Sequence, residues 1–354
     1  VHGVNKIGLV LIFLGIKFSV SCSMFNPLST ASEYVTRLDI SGNFWEYTAY
    51  NDPHVIKIGS VYFMYLTRNG NDKYTDRQEP TCLIHATSED GVSWNIKGQV
   101  ELLTLGNSIE WDYNKVETPS VVSYNGEYHM YYSGASENDS PVSYKIGHAV
   151  SADGLSWVKD TNHNPVLSPA SVKNISGVIH VAEPGAIVFN GLIYLYMTVT
   201  STRQNGESPA SKMAIYLSTS SNGYDFSVPV PVLEQGSLYP ATSGYNGYST
   251  PSAVAADTGM ELYYDVYRHT GNNIAPDEQV KIHRAVSADG IHFTEDNSPI
   301  LNREDFSWTA REIRGGSELL ENGKMKIWFS GDNYSLSFGS WSGGMTLGYA
   351  EILR

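Results

Sequence analysis

The chain has 354 residues, enough for one large domain or two small ones. Its formal net charge of -14, with 17% charged residues and no basic cluster, argues against a nucleic-acid surface, because phosphate recognition needs a basic face. Aromatic residues reach 12%, with 24 Tyr and 32 Gly, a composition that predicts an all-β fold of short strands and tight turns. The acidic balance suits a neutral or cationic ligand, although surface acids also serve solubility alone.

At the amino end, Lys6 precedes an apolar run over residues 7–16, and the small residues Ser19 and Ser21 come before Cys22. This is the three-part layout of a secretory signal, and the run is too short for a membrane span. The expectation is a signal segment over residues 1–22 and an exported domain over residues 23–354, in the periplasm, outside the cell or at the envelope. Cys22 stands where a bacterial lipoprotein signal places its acylated cysteine, with Ser19 where Leu is usual, an imperfect match that leaves both a lipid anchor at Cys22 and export without one open. Cys82 is then the only thiol of the mature domain, which leaves no disulfide framework and no cysteine zinc site.

Five segments further on share one plan. The first runs from DPHVIKIGSVYFMYL at Asp52 through HATSEDGVSW to Trp94, and the second from TPSVVSYNGEYHMYYSG at Thr118 through HAVSADGLSW to Trp157. The third begins EPGAIVFNGLIYLYMT at Glu183, the fourth TPSAVAADTGMELYYDVY at Thr250, and the fifth continues from Gly316 through SELLENGKMKIWFSG to MTLGYAEIL. Pro53, Pro119, Pro184, Pro251 and Gly316 each lie twelve residues before an aromatic residue: Tyr65, Tyr131, Tyr196, Tyr263 and Trp328.

Each copy reads as a strand, a turn such as Asn125-Gly126, a Tyr-rich strand, a third strand, and a turn like Asp153-Gly154 into a fourth. Four antiparallel strands per repeat make a blade, so the prediction is a five-bladed β-propeller. The fifth copy stops after its third strand. Residues 41–47, SGNFWEY, imitate the fourth-strand pattern of residues 153–157 and are expected to complete the last blade, which removes an open edge. A β-sandwich would explain one or two such hairpins but not five matching intervals.

First strands of propeller blades line the central channel, so the residues before the shared proline position are equivalent: Asp52, Thr118, Glu183, Thr250 and Gly315. Two acids on alternate blades suit glycoside hydrolysis, in which one carboxyl protonates the leaving oxygen and the other activates water or attacks carbon. Glu183, near His180 in a Val- and Ala-rich strand, is expected to be the protonated acid. Asp52, beside Asn51 and His54, is expected to be the ionised base, with a wide gap favouring inversion. Taken singly, either acid could merely cap a turn; their recurrence at one repeat position favours chemistry.

Glu117, His54, Thr118, His180, Thr250, Arg311, Glu312 and Arg314 are expected around the cavity. Trp111, Tyr113, Tyr248 and Trp308 precede first strands, where their faces could stack on sugar or pack in the core. No cofactor is required and no metal site is predicted. A structural calcium on the axis is compatible with the plan, but no ligand spacing specifies it.

NDPHV at residues 51–55 and AEPGA at residues 182–186, set on the fivefold repeat, resemble glycoside hydrolase family 43, the β-xylosidases and arabinanases, and its invertase and levansucrase relatives. The resemblance implies that Asp52 is base or nucleophile and Glu183 the general acid. It departs in the second blade. Family 43 has an Asp just after the proline where this chain has Ser120, and the invertase-like Arg-Asp-Pro has Thr118 in place of Asp. Glu117 is the expected substitute modulator, with Asp112 in reserve. The leading expectation is an exported glycosidase acting on an oligo- or polysaccharide. The alternatives are a phosphorylase or transferase, with Arg311 and Arg314 receiving phosphate, and a non-catalytic glycan-binding propeller.

Overall fold

Asn125-Gly126, Asn190-Gly191 and Asn322-Gly323 have positive φ at both residues, at 51° and 89°, 50° and 77°, and 53° and 73°. That is the backbone of a two-residue type I′ turn, which Asn and Gly adopt at low cost and which folds the flanking segments into a hairpin. The computed structural model describes residues 34–37, 39–41, 48–72, 77–78, 81–96, 102–203, 211–257, 259–268, 278–309, 311–332 and 345–354. The expected leader and Cys22 lie outside them.

The described residues form strands, short 3-10 turns and no α-helix. Five antiparallel units follow in chain order. In each, the first strand named below is the innermost, and the others pair outward in sequence. The first unit is Thr48–Ile58, Val61–Asp72, Cys82–Ser88 and Ser93–Ile96. The second is Lys115–Tyr124, Glu127–Ala135, Lys145–Ser151 and Val158–Lys159. The third is Val178–Phe189, Leu192–Thr202, Ser211–Ser220 and Val230–Leu233. The fourth is Tyr245–Ala256, Gly259–Arg268, Glu278–Ser287 and Thr294–Glu295. The fifth is Glu312–Glu321, Lys324–Asp332 and Thr346–Leu353, with Tyr34–Arg37 as its outer strand.

Each innermost strand touches the innermost strand of the next unit, and that of the fifth touches that of the first. The units are therefore blades of a closed β-propeller. The buried apolar side chains fall into five clusters, each between consecutive blades; the one joining the fifth to the first contains Val55, Trp94, Trp328 and Tyr349.

The aromatic residue twelve positions after the proline position has a structural reason. Tyr65, Tyr131 and Tyr196 donate their hydroxyls to the carbonyls of Gly154, Gly223 and Gly290 in the next blade, at 2.9, 2.8 and 2.7 Å. Trp328 donates its indole N–H to Gly91 at 2.7 Å, which closes the ring. Those glycines sit in turns built one way: Ser151 Oγ accepts from the Gly154 N–H, and Asp153 accepts from the Leu155 and Ser156 N–H groups. Only the fourth blade departs. Its Tyr263 donates to Glu261 within the same blade, because the fifth copy lacks that turn.

The strand that completes the last blade is Tyr34–Arg37, paired antiparallel with Thr346–Leu353, and not residues 41–47 as the sequence pattern suggested. Of that segment, Ser41 is described; it belongs to Asp39–Ser41, which runs parallel to Ser93–Ile96 on the outer edge of the first blade. The amino-terminal segment thus covers two outer edges in turn. Edge pairing uses backbone groups, so an aromatic pattern does not select which stretch pairs.

Candidate active site

A break in register occurs at one place in every innermost strand: between Asn51 and His54, Glu117 and Ser120, Ala182 and Gly185, Ser249 and Ser252, and Arg314 and Ser317. At each break the residue at the proline-preceding position is left-handed. φ is 49° at Asp52, 49° at Thr118, 53° at Glu183, 50° at Thr250 and 42° at Gly315. A positive φ is uncommon outside glycine and strained for β-branched Thr, at a cost of about 1–3 kcal/mol per residue.

The blades hold these bulges by one repeated contact. The N–H groups of Asp52, Thr118, Glu183 and Thr250 donate to the hydroxyls of Ser330, Thr67, Ser133 and Thr198, at 3.2, 2.9, 2.8 and 3.0 Å. Each acceptor lies on the second strand of the preceding blade, two residues after the repeated aromatic position. In the fourth blade that position is Asp265, whose carboxylate takes the Gly315 N–H through both oxygens, at 2.9 and 2.8 Å. The repeat therefore carries its own signal for Asp265, an acid at a position where the other four copies have Ser or Thr.

The bulges bring Asp52, Thr118, Glu183 and Thr250 to one level around a narrow axial hollow of about 50 Å³, whose wall also includes His54 and Glu318. That volume suits a few water molecules and not a sugar ring. Glu117, Tyr144, His180, Glu183 and Met213 line a second hollow, of about 220 Å³. Glu183 borders both.

Asp52 is buried, and its carboxyl accepts from the Asn51 side chain at 3.1 Å. Burial is the largest influence on it, opposed by Arg314 and assisted by the charges of Glu117 and Glu183, and its pKa is pushed up to about 7. Burial likewise raises Glu117, against a hydrogen bond from the Tyr144 hydroxyl. Sequence alone places the burial effect on Glu183 and makes Asp52 an ordinary carboxylate. The bulge instead buries Asp52, while Glu183 faces the junction of the two hollows and its Oε2 accepts the Thr250 N–H at 3.0 Å. Asp265 is fully enclosed, and burial holds its carboxyl well above the usual range. Deeper in the channel, burial lifts Glu318 to about 8.

Arg314 pairs with Glu312 at 2.6 Å and acts electrostatically on Asp52, and Arg311 pairs with Asp332 at 2.9 Å. His54 donates from Nε2 to the Val121 carbonyl at 3.0 Å, and burial lowers its pKa to about 4, so it is a neutral part of the channel wall. Trp111 is not offered to either hollow. It stacks on Tyr132 with centroids 5.8 Å apart and packs on the core between the first two blades, where Gly134 and Gly147 leave room for its ring. Tyr248 and Trp308 also pack internally, and Asp112 is bound by Lys159 at 2.5 Å. Among the described residues no cluster of three or more His, Cys, Asp or Glu side chains could hold a metal ion, and no helix is long and apolar enough to cross a membrane.

Residues 46–234, more than half of the chain, match the model of the glycosyl hydrolases family 32 N-terminal domain. The chain belongs to that family. Among solved structures it is similar to a family 117 glycoside hydrolase of the marine bacterium Zobellia galactanivorans, with a TM-score of 0.61 and 14% identity over 90% of this chain and 89% of the other. It is similar to a glycosyl hydrolase from Bacteroides ovatus, with a TM-score of 0.60 and 14% identity over 87% of this chain and 85% of the other. A family 32 β-fructofuranosidase of Bombyx mori gives a TM-score of 0.60 and 11% identity, over 86% of this chain and 59% of that one. No curated protein matches the chain. The shared fold is that of β-propeller enzymes acting on glycans.

Proposed function

We propose that the protein hydrolyses a glycosidic bond, with Asp52 as general base and Glu183 as general acid, and with Glu117 tuning the pair. The observation that carries this reading is the placement of Asp52 and Glu183 at the same bulge on alternate blades, at one level around the channel axis. A base works best when its pKa is near the working pH, and about 7 at Asp52 meets that requirement. Glu183 borders the larger hollow, where it could reach a leaving oxygen. Glu117 acts electrostatically on Asp52, which supports its role in place of the missing second-blade Asp.

Water is favoured over phosphate as acceptor. Arg311 and Arg314, the two cations a phosphorylase would use, are each committed to an acid. The decisive experiment is product analysis with Asp52→Asn and Glu183→Gln, with and without phosphate. Sugar release independent of phosphate, lost in both folded variants, is expected; full activity in either variant would reject the assignment. Export with acylation at Cys22 is part of the same proposal. Cys22→Ser is expected to move the protein from the membrane to the soluble fraction, and unchanged fractionation would refute the anchor.

A further inference from the structure

The fifth blade departs from the repeat twice. Its bulge is Gly315-Gly316 where the other four read Asp52-Pro53, Thr118-Pro119, Glu183-Pro184 and Thr250-Pro251. Proline fixes its own φ and restricts the residue before it, whereas a Gly-Gly pair is the freest dipeptide, so this bulge lacks the restraint that the others have. The second departure is Asp265, the acceptor that faces the bulge across the blade junction. Where the other acceptors offer one hydroxyl oxygen, Asp265 takes the Gly315 N–H with both carboxyl oxygens, at 2.9 and 2.8 Å. Gln279 Nε2 donates to Asp265 Oδ2 at 3.2 Å and to Thr250 Oγ1 at 3.4 Å, which fixes the carboxyl in a buried place.

What this bulge carries is Arg314. A Cβ built on Gly315 would lie 3.9 Å from Asp52 Oδ1 and 3.0 Å from Thr250 Cγ2, so the Gly315 backbone lies against both the first bulge and the fourth. Arg314 pairs in register with Ser330, whose hydroxyl accepts the Asp52 N–H at 3.2 Å. One line of contacts therefore runs from Asp265 through Gly315, Arg314 and Ser330 to Asp52. The Arg314 guanidinium pairs with Glu312 at 2.6 Å, and its buried Nε has no hydrogen-bond partner among the described residues. Its place beside Asp52 thus depends on where the backbone at residues 314–315 is held. Arg314 is the cation that opposes the burial of Asp52, with help from a Thr67 hydrogen bond and against the charges of Glu117 and Glu183.

We propose that Asp265 is a positioning residue, whose capture of the Gly315 N–H holds Arg314 beside the base Asp52. The role rests on the glycosidase reading, in which Asp52 is the base, and adds to it a residue that acts through the backbone of the next blade. Releasing Gly315 should let Arg314 move away and leave the burial of Asp52 less opposed, so the Asp52 pKa should rise. Loss of a negative charge at residue 265 would by itself act the other way, so the sign of the shift separates the two effects. The charged groups acting on Asp265 are Glu183 and Arg314, and those acting on Arg314 are Glu312 and Asp52, with Tyr267 beside them.

The test compares Asp265→Thr with Asp265→Val in the full chain. The two side chains share a shape and carry no charge, and only Thr offers the acceptor oxygen that the other blades use. The Asp52 carboxyl is followed by 13C NMR, as the titrating resonance absent from Asp52→Asn. Its midpoint in Asp265→Val is expected at least about half a pH unit above that in Asp265→Thr, and the difference should vanish when Arg314→Gln is added to both. Equal midpoints, or a difference that survives Arg314→Gln, would overturn the role. Should Asp265→Val not fold, exchange of the Gly315 amide in the wild type decides: protection like that of the Glu183 amide sustains the capture, and exchange at the rate of an exposed loop ends it. Turnover of 4-nitrophenyl glycosides is read separately, with kcat/KM at pH 7 expected about twofold lower in Asp265→Val than in Asp265→Thr. No turnover by the wild type on any substrate would count against the glycosidase reading, while the NMR midpoints would still decide the placement of Arg314.

Discussion

The two rings of contacts that join the blades differ in how they treat the repeat. On the side of the Asp-Gly turns, the same kind of donor meets the same glycine carbonyl from Tyr65, Tyr131, Tyr196 and Trp328. At the mouth the backbone repeats just as faithfully, with five left-handed bulges and five captured N–H groups, but the side chains do not: Asp, Thr, Glu, Thr and Gly. The first ring is a fastening and tolerates little variation. The second is a frame that presents whatever side chain occupies it, so acids appear where the repeat breaks. Asp52, Glu183 and Asp265 are all such breaks.

Substitution can separate the two rings. The largest effect is expected at the mouth, where Asp52→Asn and Glu183→Gln should each lower kcat by about 10²–10⁴-fold with near-native circular dichroism. A comparable loss of activity in a fastening variant that stays folded would erase the distinction. Next comes Trp328→Ala, which empties a buried site shared by the first and fifth blades and should cost about 3–5 kcal/mol in denaturant unfolding.

Asp52→Asn should also stabilise the fold. With a folded pKa of about 7 against an ordinary 3.8, the folded state keeps a proton that the unfolded chain releases, so stability falls as pH rises from about 4 through about 7. Removing the charge should recover about 1–3 kcal/mol at pH 8 and little at pH 4. Equal gains at both pH values would contradict the electrostatic account. The same carboxyl predicts that kcat/KM of the wild type rises with pH through about 7, since the base must be ionised.

The smallest pair sharpens the comparison most. Tyr196→Phe removes one fastening bond and Ser133→Ala one frame bond, and each should cost about 1 kcal/mol. Only Ser133→Ala, which releases the Glu183 backbone, should also lower kcat, by about tenfold. Equal kinetics in the two variants would show that the frame does not position the acid.

Much of this architecture was legible in the chain. The proline-to-aromatic interval and the Asn-Gly and Asp-Gly turns are local signals, governed by backbone preferences and hydrogen bonds over a few residues. They located the strands, the blade repeat and the equivalence of Asp52 with Glu183. The closing strand was not legible, because outer-edge pairing uses backbone groups common to every residue, and Tyr34–Arg37 served where an aromatic motif had suggested residues 41–47. Nor was Trp111, whose place beside Tyr132 depends on space left by two glycines in other strands.

By itself the sequence determined which residues repeat and which depart from the repeat, since both are properties of order along the chain. Only the tertiary structure decided which carboxyl is buried, which cations are already paired, and that Glu183 borders two hollows. Those properties depend on the distance of each charge from water and from other charges, and closure of the ring sets those distances among residues far apart in sequence.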